Sequence, residues 1–437
     1  MILQILLFAI VTGITFYFAG KKYKEVFDNI RMGKGELSDH TDRPMQRLKN
    51  MLLLAFGQKK MFRNLTPALL HLAIYVAFLM TQVELIEIFI DGFTGVHRFF
   101  WTVIPLGGLY TFIISTIEVL SVLALIATLA FLARRNLLKI PRFTMDEMTG
   151  WPKLDGNTIL YGELLLLLGI FSMNTADMAL YDNEYGFLVS GMLSPLLADF
   201  SAGTLSFIER FGWWLHLIVV FAFINYLPYS KHFHIMLAFP NAYFGKVDYD
   251  QKGEIANMPR ITEEIKLMMN PDAPMPEEDP DAEPPRFGAK DVDDLHWKNL
   301  LDAYSCTECG RCTAACPANQ TGKLLSPRKI MMDTRDRLEE KGENRVLHGE
   351  GHDDGKSLVH DYITVEELRA CTTCNACVEE CPVSINPLDI IVELRRYLIL
   401  EEASSPEEWN LMFGNVENNG AVWKFPAEAR DKWKSEL

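Results

Sequence analysis

The chain contains eight cysteines, and they form two copies of one pattern. Cys306, Cys309, Cys312 and Cys316 precede Pro317; Cys371, Cys374, Cys377 and Cys381 precede Pro382. Both runs read C-x2-C-x2-C-x3-C-P, the spacing that holds a [4Fe-4S] cube. Three closely spaced thiolates wrap three corners of a cube, and the fourth, beside its proline, turns away to ligate the other cluster. The expected ligand sets are therefore Cys306, Cys309, Cys312 with Cys381, and Cys371, Cys374, Cys377 with Cys316. Disulfides need an oxidising compartment and do not repeat this spacing. Structural zinc also uses C-x2-C pairs, but it does not require the full run with its terminal proline. Two clusters held together have one common use, which is to pass electrons singly.

A second set of chemically capable residues lies in apolar sequence. His71, His216 and His234 fall within long hydrophobic stretches, where polar side chains are costly and are functional candidates. His216 and His234 are 18 residues apart. On one continuous helix that is five turns, which puts both on one face about 27 Å apart. Haem iron takes axial histidines from facing helices. His71 and His234 match in depth, so they are the expected ligands of a b-type haem. His216 is a candidate for a second haem whose other ligand is not evident. Thr81 and Gln82 are not usual haem ligands, and His97 is an unforced alternative. His232 reads as interfacial. Among the intramembrane acids, Glu118 and Glu84 are candidates for a quinone or proton-relay role; Glu87, Glu163 and Asp177 lie in the same spans. Interfacial hydration is the plain alternative for those near helix ends.

These residues require elements to hold them. Five apolar stretches are long enough to span a bilayer: Ile2–Gly20, Leu65–Ile90, Ile104–Ala133, Thr158–Leu180 and Trp213–Phe239. The first lacks a basic segment before its apolar core and an A-x-A-like cleavage site, so it reads as a retained helix. Lys21, Lys22, Lys24, Arg31, Lys34, Arg43, Arg47, Lys49, Lys59, Lys60 and Arg63 fill the first inter-helix loop; Arg134, Arg135, Lys139, Arg142 and Lys153 fill the third. The loop after the second span holds only Arg98, and that after the fourth only Arg210. By the positive-inside rule the N-terminus is expected outside and the cysteine-bearing half in the cytoplasm of a bacterial inner membrane.

The fold class expected is all-α: a five-helix transmembrane bundle (residues 1–240) followed by an α-helical ferredoxin domain (295–402). A Pro- and acid-rich connector (241–294) joins them, and a tail (403–437) carries Trp409, Trp423 and Trp433, suited to docking a partner. Within the cysteine-bearing half, a helix is expected from Ser326 and Pro327 to about Lys341, with Gly342–Lys356 a loop. Thr364 and Glu367 form a capping-box pattern, and Asn386 with Pro387 opens a helix over Leu388–Glu402. The chain has 437 residues, 49% hydrophobic, with a net charge of -15 concentrated in its C-terminal half. That charge argues against nucleic acid as a partner and for protein partners.

Two resemblances follow from these residues. The segments Trp213-Trp214-Leu215-His216 and Leu227-Pro228-Tyr229-Ser230-Lys231-His232-Phe233-His234 resemble the last haem-carrying helix of the respiratory nitrate reductase gamma subunit, a cytochrome b-type membrane protein. The cysteine-bearing half resembles the small α-helical ferredoxin subunit of heterodisulfide reductase, its C subunit. The combination resembles fused, heterodisulfide-reductase-like quinone oxidoreductases. The resemblance implies a membrane electron-transfer subunit that links a cytoplasmic redox subunit to the quinone pool through two clusters and a haem. That partner is a Cys-Cys-Gly-domain iron-sulfur protein or a flavoprotein, since this chain has no Cys-Cys-Gly sequence. Two other readings stay open: a haem-free membrane anchor whose ferredoxin domain docks a catalytic subunit, and a redox sensor.

Overall fold

The computed structural model describes residues 2–104, 106–247, 259–270 and 286–435. Among these the protein is all-helical, with two isolated β-bridges and no strand. Five long apolar helices form the membrane bundle: α1 (Ile2–Ile30), α2 (Leu65–Thr94), α3 (Gly108–Asn136), α4 (Trp151–Leu180) and α5 (Ala202–Tyr226). Each is long enough to cross a bilayer.

α4 and α5 make the tightest pair in the bundle. Gly169 and Gly212 face one another at their crossing. A Cβ on Gly212 would lie 2.6 Å from Met173 N and 2.7 Å from Gly169 O. Small residues at this point let the two backbones touch, the usual device for helix association in lipid.

α1 does more than span. Its buried residues are Phe8, Thr12, Thr15, Ala19, Lys22, Val26 and Asn29, a stripe repeating every three or four positions along the whole helix. The upper part of the stripe packs on membrane helices, Phe8 against Trp213 and Ile88. The lower part continues past the expected end of the span at Gly20 and enters the ferredoxin core through Val26. There Asn29 Nδ2 donates to Tyr304 Oη at 3.0 Å, and Lys22 Nζ donates to Glu339 at 2.8 Å.

The fifth span departs from expectation. Trp213–Phe239 is not one helix. α5 ends at Tyr226, and Leu227-Pro228-Tyr229 forms a single 3-10 turn. Ser230 then caps a second short turn, and α6 (His234–Tyr243) begins anew. Pro228 cannot continue an α-helix, because its ring removes a donor and crowds the preceding turn. The five-turn relation between His216 and His234 therefore does not hold.

The ferredoxin domain follows as α7 (Trp297–Ser305), α8 (Arg311–Ala315), α9 (Pro327–His348), α10 (Val365–Ala370), α11 (Ala376–Glu380) and α12 (Pro387–Leu400). Its core takes in Ala289 and Val292 from before residue 295, and Ala238 and Ala242 from α6. Ser326 caps α9, the Thr364–Glu367 capping box opens α10, and Asn386 caps α12. α9 runs beyond Lys341 to His348, so the loop expected from Gly342 starts only at Gly349, where φ is 97°. Gly342 is a packing glycine, not a breaker. A Cβ there would lie 2.2 Å from Asn29 Oδ1 of α1. The Pro- and acid-rich run 271–280 lies outside the described residues.

Candidate cluster and haem sites

The two cysteine runs fold into the same local shape. Cys306 ends α7 at φ -68°, ψ 121°, and Cys371 ends α10 at φ -69°, ψ 128°. Two and four residues later the chain takes positive φ, at Glu308 (53°) and Gly310 (71°) in the first run and at Thr373 (55°) and Asn375 (61°) in the second. These turns fold the loop back so that its thiols converge. Glycine and asparagine are the residues that tolerate the left-handed conformation before α8 and α11. Cys316 and Cys381 leave those helices at φ -72° and -71°.

Two cavities result. Cys306, Cys309 and Cys312 line the first together with Cys381, and Cys377 reaches its edge. Cys371, Cys374 and Cys377 line the second together with Cys316. The last cysteine of each run is thus brought to the first three of the other. The donor sets suit two cubes: four thiols each, in mainly apolar cavities bounded by Met331 and Ile385 or by Leu325, Leu388 and Ile391. Burial pushes the Cys306 and Cys377 thiols up to about 12 and Cys381 up to about 11. Forming those thiolates therefore needs the charge of iron itself. Backbone amides help, with Ile385 N–H donating to Cys381 Sγ at 3.3 Å and Thr373 N–H to Cys371 Sγ at 3.4 Å.

The first cysteine loop is bolted to the membrane bundle. Glu308, between Cys306 and Cys309, is buried and pairs with Lys231 of the α5–α6 turn and with Arg335 of α9 at 2.9 Å. Burial works against the Glu308 charge, yet Arg335 and Lys231 hold its carboxyl below the usual range. Arg311, next to Cys312, donates to Lys60 O at 3.2 Å. Arg328 of α9 donates to Arg142 O at 2.6 Å and Glu147 at 2.7 Å in the α3–α4 loop. Arg63 pairs with Glu380 at 3.1 Å and also with Glu379. The contacts come from the two basic loops, so the ferredoxin domain sits at the basic end of the bundle.

At that end the structure brings His71 and His234 together, with ring centroids 6.5 Å apart. The breaking of the fifth span makes this meeting possible from the start of α6. Two imidazole nitrogens bound at about 2 Å to one metal, with a ring radius of about 1 Å on each side, place centroids about 6 Å apart. His71 Nδ1 lies 3.1 Å from Gln58 Oε1, and His234 Nδ1 lies 3.0 Å from Lys231 O. Each Nδ1–H donates to its oxygen, which leaves Nε2 as the lone-pair nitrogen, the arrangement of an oriented metal ligand. Both side chains are only partly buried, as a haem edge between them requires. Donor type, ring separation and the Nδ1 contacts fit a bis-histidine haem.

His216 is elsewhere, at the α4–α5 crossing, with Nδ1 3.2 Å from Leu166 O. It makes no ring contact with another histidine among the described residues. His97 stands at the other end of the bundle, against Asp177. Glu118 spends both oxygens at the start of the short helix Leu188–Leu193, accepting from Val189 N at 2.7 Å, Ser190 N at 3.1 Å and Ser190 Oγ. Glu84 accepts from Asn174 at 3.1 Å and faces Arg98 at 3.5 Å, while its Oε2 has no hydrogen bond. Sequence reasoning missed Arg98, which is 3% exposed at the centre of this polar group.

Comparison with known proteins agrees with the cysteine geometry. Residues 305–385 match the 4Fe-4S dicluster domain family. The whole chain is similar to the probable iron-sulfur-binding oxidoreductase FadF of Bacillus subtilis, 29% identical over 471 residues and covering 61% of that protein. The EtfAB:quinone oxidoreductase of Syntrophomonas wolfei is 25% identical over 93% of this chain and 56% of its own length. The ferredoxin region is 37% identical to the C subunit of the ferredoxin/F(420)H(2)-dependent CoB-CoM heterodisulfide reductase of Methanosarcina acetivorans, over 24% of this chain and 53% of that polypeptide. The chain thus spans about three fifths of the length of these first two relatives. No solved structure matches it. The chain carries a dicluster iron-sulfur region similar to that of the heterodisulfide reductase C subunit, joined to five helices long and apolar enough to cross a membrane.

Proposed function

We propose that this chain carries electrons between a soluble redox protein, of the iron-sulfur or flavoprotein class, and a quinone in the membrane. In this reading Cys306, Cys309, Cys312 and Cys381 hold one [4Fe-4S] cluster, and Cys371, Cys374, Cys377 and Cys316 the other. His71 and His234 hold a b-type haem. These groups supply one-electron chemistry, which a two-electron quinone couple needs in single steps.

One observation supports the reading most. Both histidines connect to the first cysteine loop within two or three contacts. His234 bonds Lys231, whose side chain reaches Glu308 beside Cys309. His71 bonds Gln58, two residues from Lys60, whose carbonyl accepts from Arg311 beside Cys312. The residues that would hold haem and cluster are thus fixed to one another by hydrogen bonds. Further support comes from the quinone named in one relative. His216 remains the candidate for a second haem. Of the two acids assigned to proton delivery, Glu84 keeps a free oxygen, whereas the Glu118 oxygens are already engaged.

In this reading the basic loops that hold the ferredoxin domain face the cytoplasm of a bacterium, with the N-terminus outside, as the positive-inside rule favours. A redox partner then docks on the cytoplasmic side, where Trp409, Trp423 and Trp433 of the tail are exposed. The test is to reduce the purified full chain chemically and add a soluble quinone. Reoxidation of both the cluster signals and a b-type haem band is expected. A protein with intact clusters and no haem band overturns the reading in favour of a haem-free anchor, and a haem untouched by quinone overturns its quinone step.

A further inference from the structure

The end of the bundle remote from the ferredoxin domain carries a polar group that electron transfer does not use. α2 has 30 residues, about 45 Å of helix, and the group lies at its far end. His97 of the α2–α3 loop, Asp177 of α4 and Glu209 of α5 each offer one ligand atom, and these three atoms lie within 4.8 Å of one another. His97 Nε2 is 3.1 Å from Asp177 Oδ1, and His97 Nδ1 is 4.0 Å from Glu209 Oε1.

Hydrogen bonding does not account for these atoms. Among the described residues, His97 Nε2, Asp177 Oδ1 and Glu209 Oε1 are buried atoms without a hydrogen bond of good geometry, and the first two meet only each other, as a close polar pair at 3.1 Å. Asp177 is 0% and Glu209 4% exposed. Buried polar atoms of this kind call for a partner. Three of them pointing at one place, from three separate segments, point to a shared one.

Charge leads to the same place. Arg98 is shared by Glu84, Glu87 and Asp177, at 3.5, 3.8 and 2.9 Å. Arg210 balances Glu209 at 3.1 Å. At formal charge the acids of this group outnumber Arg98 and Arg210, so it carries a negative excess that suits a cation. The other Asp177 oxygen is tied to Arg98 Nε at 3.0 Å and the His97 ring lies against Tyr181 at 5.7 Å, so both groups are oriented by outer contacts.

We propose that His97, Asp177 and Glu209 bind a divalent metal ion of the Zn2+ class, which ties the α2–α3 loop to α4 and α5. One imidazole with two carboxylates is a set used by zinc; Mg2+ and Ca2+ prefer oxygen alone. Bonds of about 2.0–2.1 Å set ligand atoms about 3.3 Å apart in a tetrahedron. His97 Nε2 and Asp177 are already near that separation, and Glu209, within 4.8 Å of both, closes by a side-chain movement of up to about 1.5 Å. The His97 side chain is 26% exposed, which gives the ion an entry path and a fourth, water-filled position.

The test uses the full chain in detergent with its cluster iron in place, stripped with chelator and then offered Zn2+ or Co2+ alone. One zinc per chain after desalting is expected, with Co2+ giving the visible bands of a low-symmetry site. His97→Gln and Glu209→Gln should each weaken binding at least about 100-fold, since loss of an outer-contact residue alone costs 10–100-fold. Asp177→Asn is a poorer choice because Asp177 also holds Arg98. His97 lies at the end of the bundle away from the cysteine loops, so iron content of His97→Gln without zinc should match the unmodified chain. No zinc uptake by an iron-replete chain overturns the proposal. Equal uptake by the variants overturns it too.

Discussion

Replacing Lys231 by Met removes a charge from the joint between bundle and ferredoxin domain. Lys231 is 10% exposed and Glu308 2% by side chain. Removing one partner of such a pair costs about 3–5 kcal/mol when the other charge is left alone. Glu308 is not left alone, since Arg335 stays at 2.9 Å. Asp155, 3.8 Å from Lys231 Nζ, keeps its bonds from Tyr226 and Ser230 at 2.6 Å each. The loss is therefore placed below that range, at about 2 kcal/mol, a factor of about 30 in the folding equilibrium of this joint. The assay is denaturant-driven bleaching of cluster absorbance in detergent, with Lys231→Met, Glu308→Gln and the double variant completing a cycle. A coupling of at least about 1 kcal/mol is expected. Acid should act in the same way. The Glu308 carboxyl lies below its ordinary value in the folded chain, so its contribution is present above about pH 4.3 and is lost as pH falls through the lowered value. Lys231→Met with unchanged bleaching and unchanged acid sensitivity refutes the joint.

Cys316→Ser should damage the cluster held by Cys371, Cys374 and Cys377 and spare the one beside it in sequence; iron content with paramagnetic signals reads which is lost, and loss of the Cys306 cluster alone refutes the crossed assignment. Gly212→Ala should cost about 1–3 kcal/mol by overpacking, because its new methyl meets Met173 N at 2.6 Å, and a thermal midpoint unchanged in detergent contradicts that.

Local chemistry was readable from sequence and non-local chemistry was not. The cysteine spacing, the Thr364–Glu367 capping box and the first four apolar runs are each complete within a short window, and the capping box and those four helices stand close to where they were expected. The break in the fifth span was also written locally, at Pro228, but the prevailing apolarity from Trp213 to Phe239 concealed it. The depth match of His71 with His234 rested on a continuous helix. The meeting of the two rings comes instead from the turn at 227–233. Gly342 shows the opposite error. Its glycine reads as a helix stop, and only the distant Asn29 explains why the helix runs through it.

Arg98 was the least legible residue. Alone in a loop it looks like a solvated charge, yet acids from α2 and α4 bury it. Glu118 likewise looks like an unpaired acid until the short helix at Leu188 is seen to end on it. The stripe along α1 was readable in principle, since its three-and-four spacing continues unbroken past Lys22. Apolarity marked only the part in lipid, because the lower part of the stripe uses Lys22 and Asn29 against polar partners on α9 and α7.

The haem on His71 and His234 is the most exposed part of the functional reading. The most direct measurement is the reduced-minus-oxidised spectrum, with haem counted per chain, of the full protein and of His71→Ala, His234→Ala and His216→Ala. The b-type band should be absent from the first two variants and present in the third, with cluster iron unchanged in all. A band that survives His71→Ala and His234→Ala but is lost in His216→Ala would contradict the placement, and would move the haem away from the ferredoxin domain to the α4–α5 crossing.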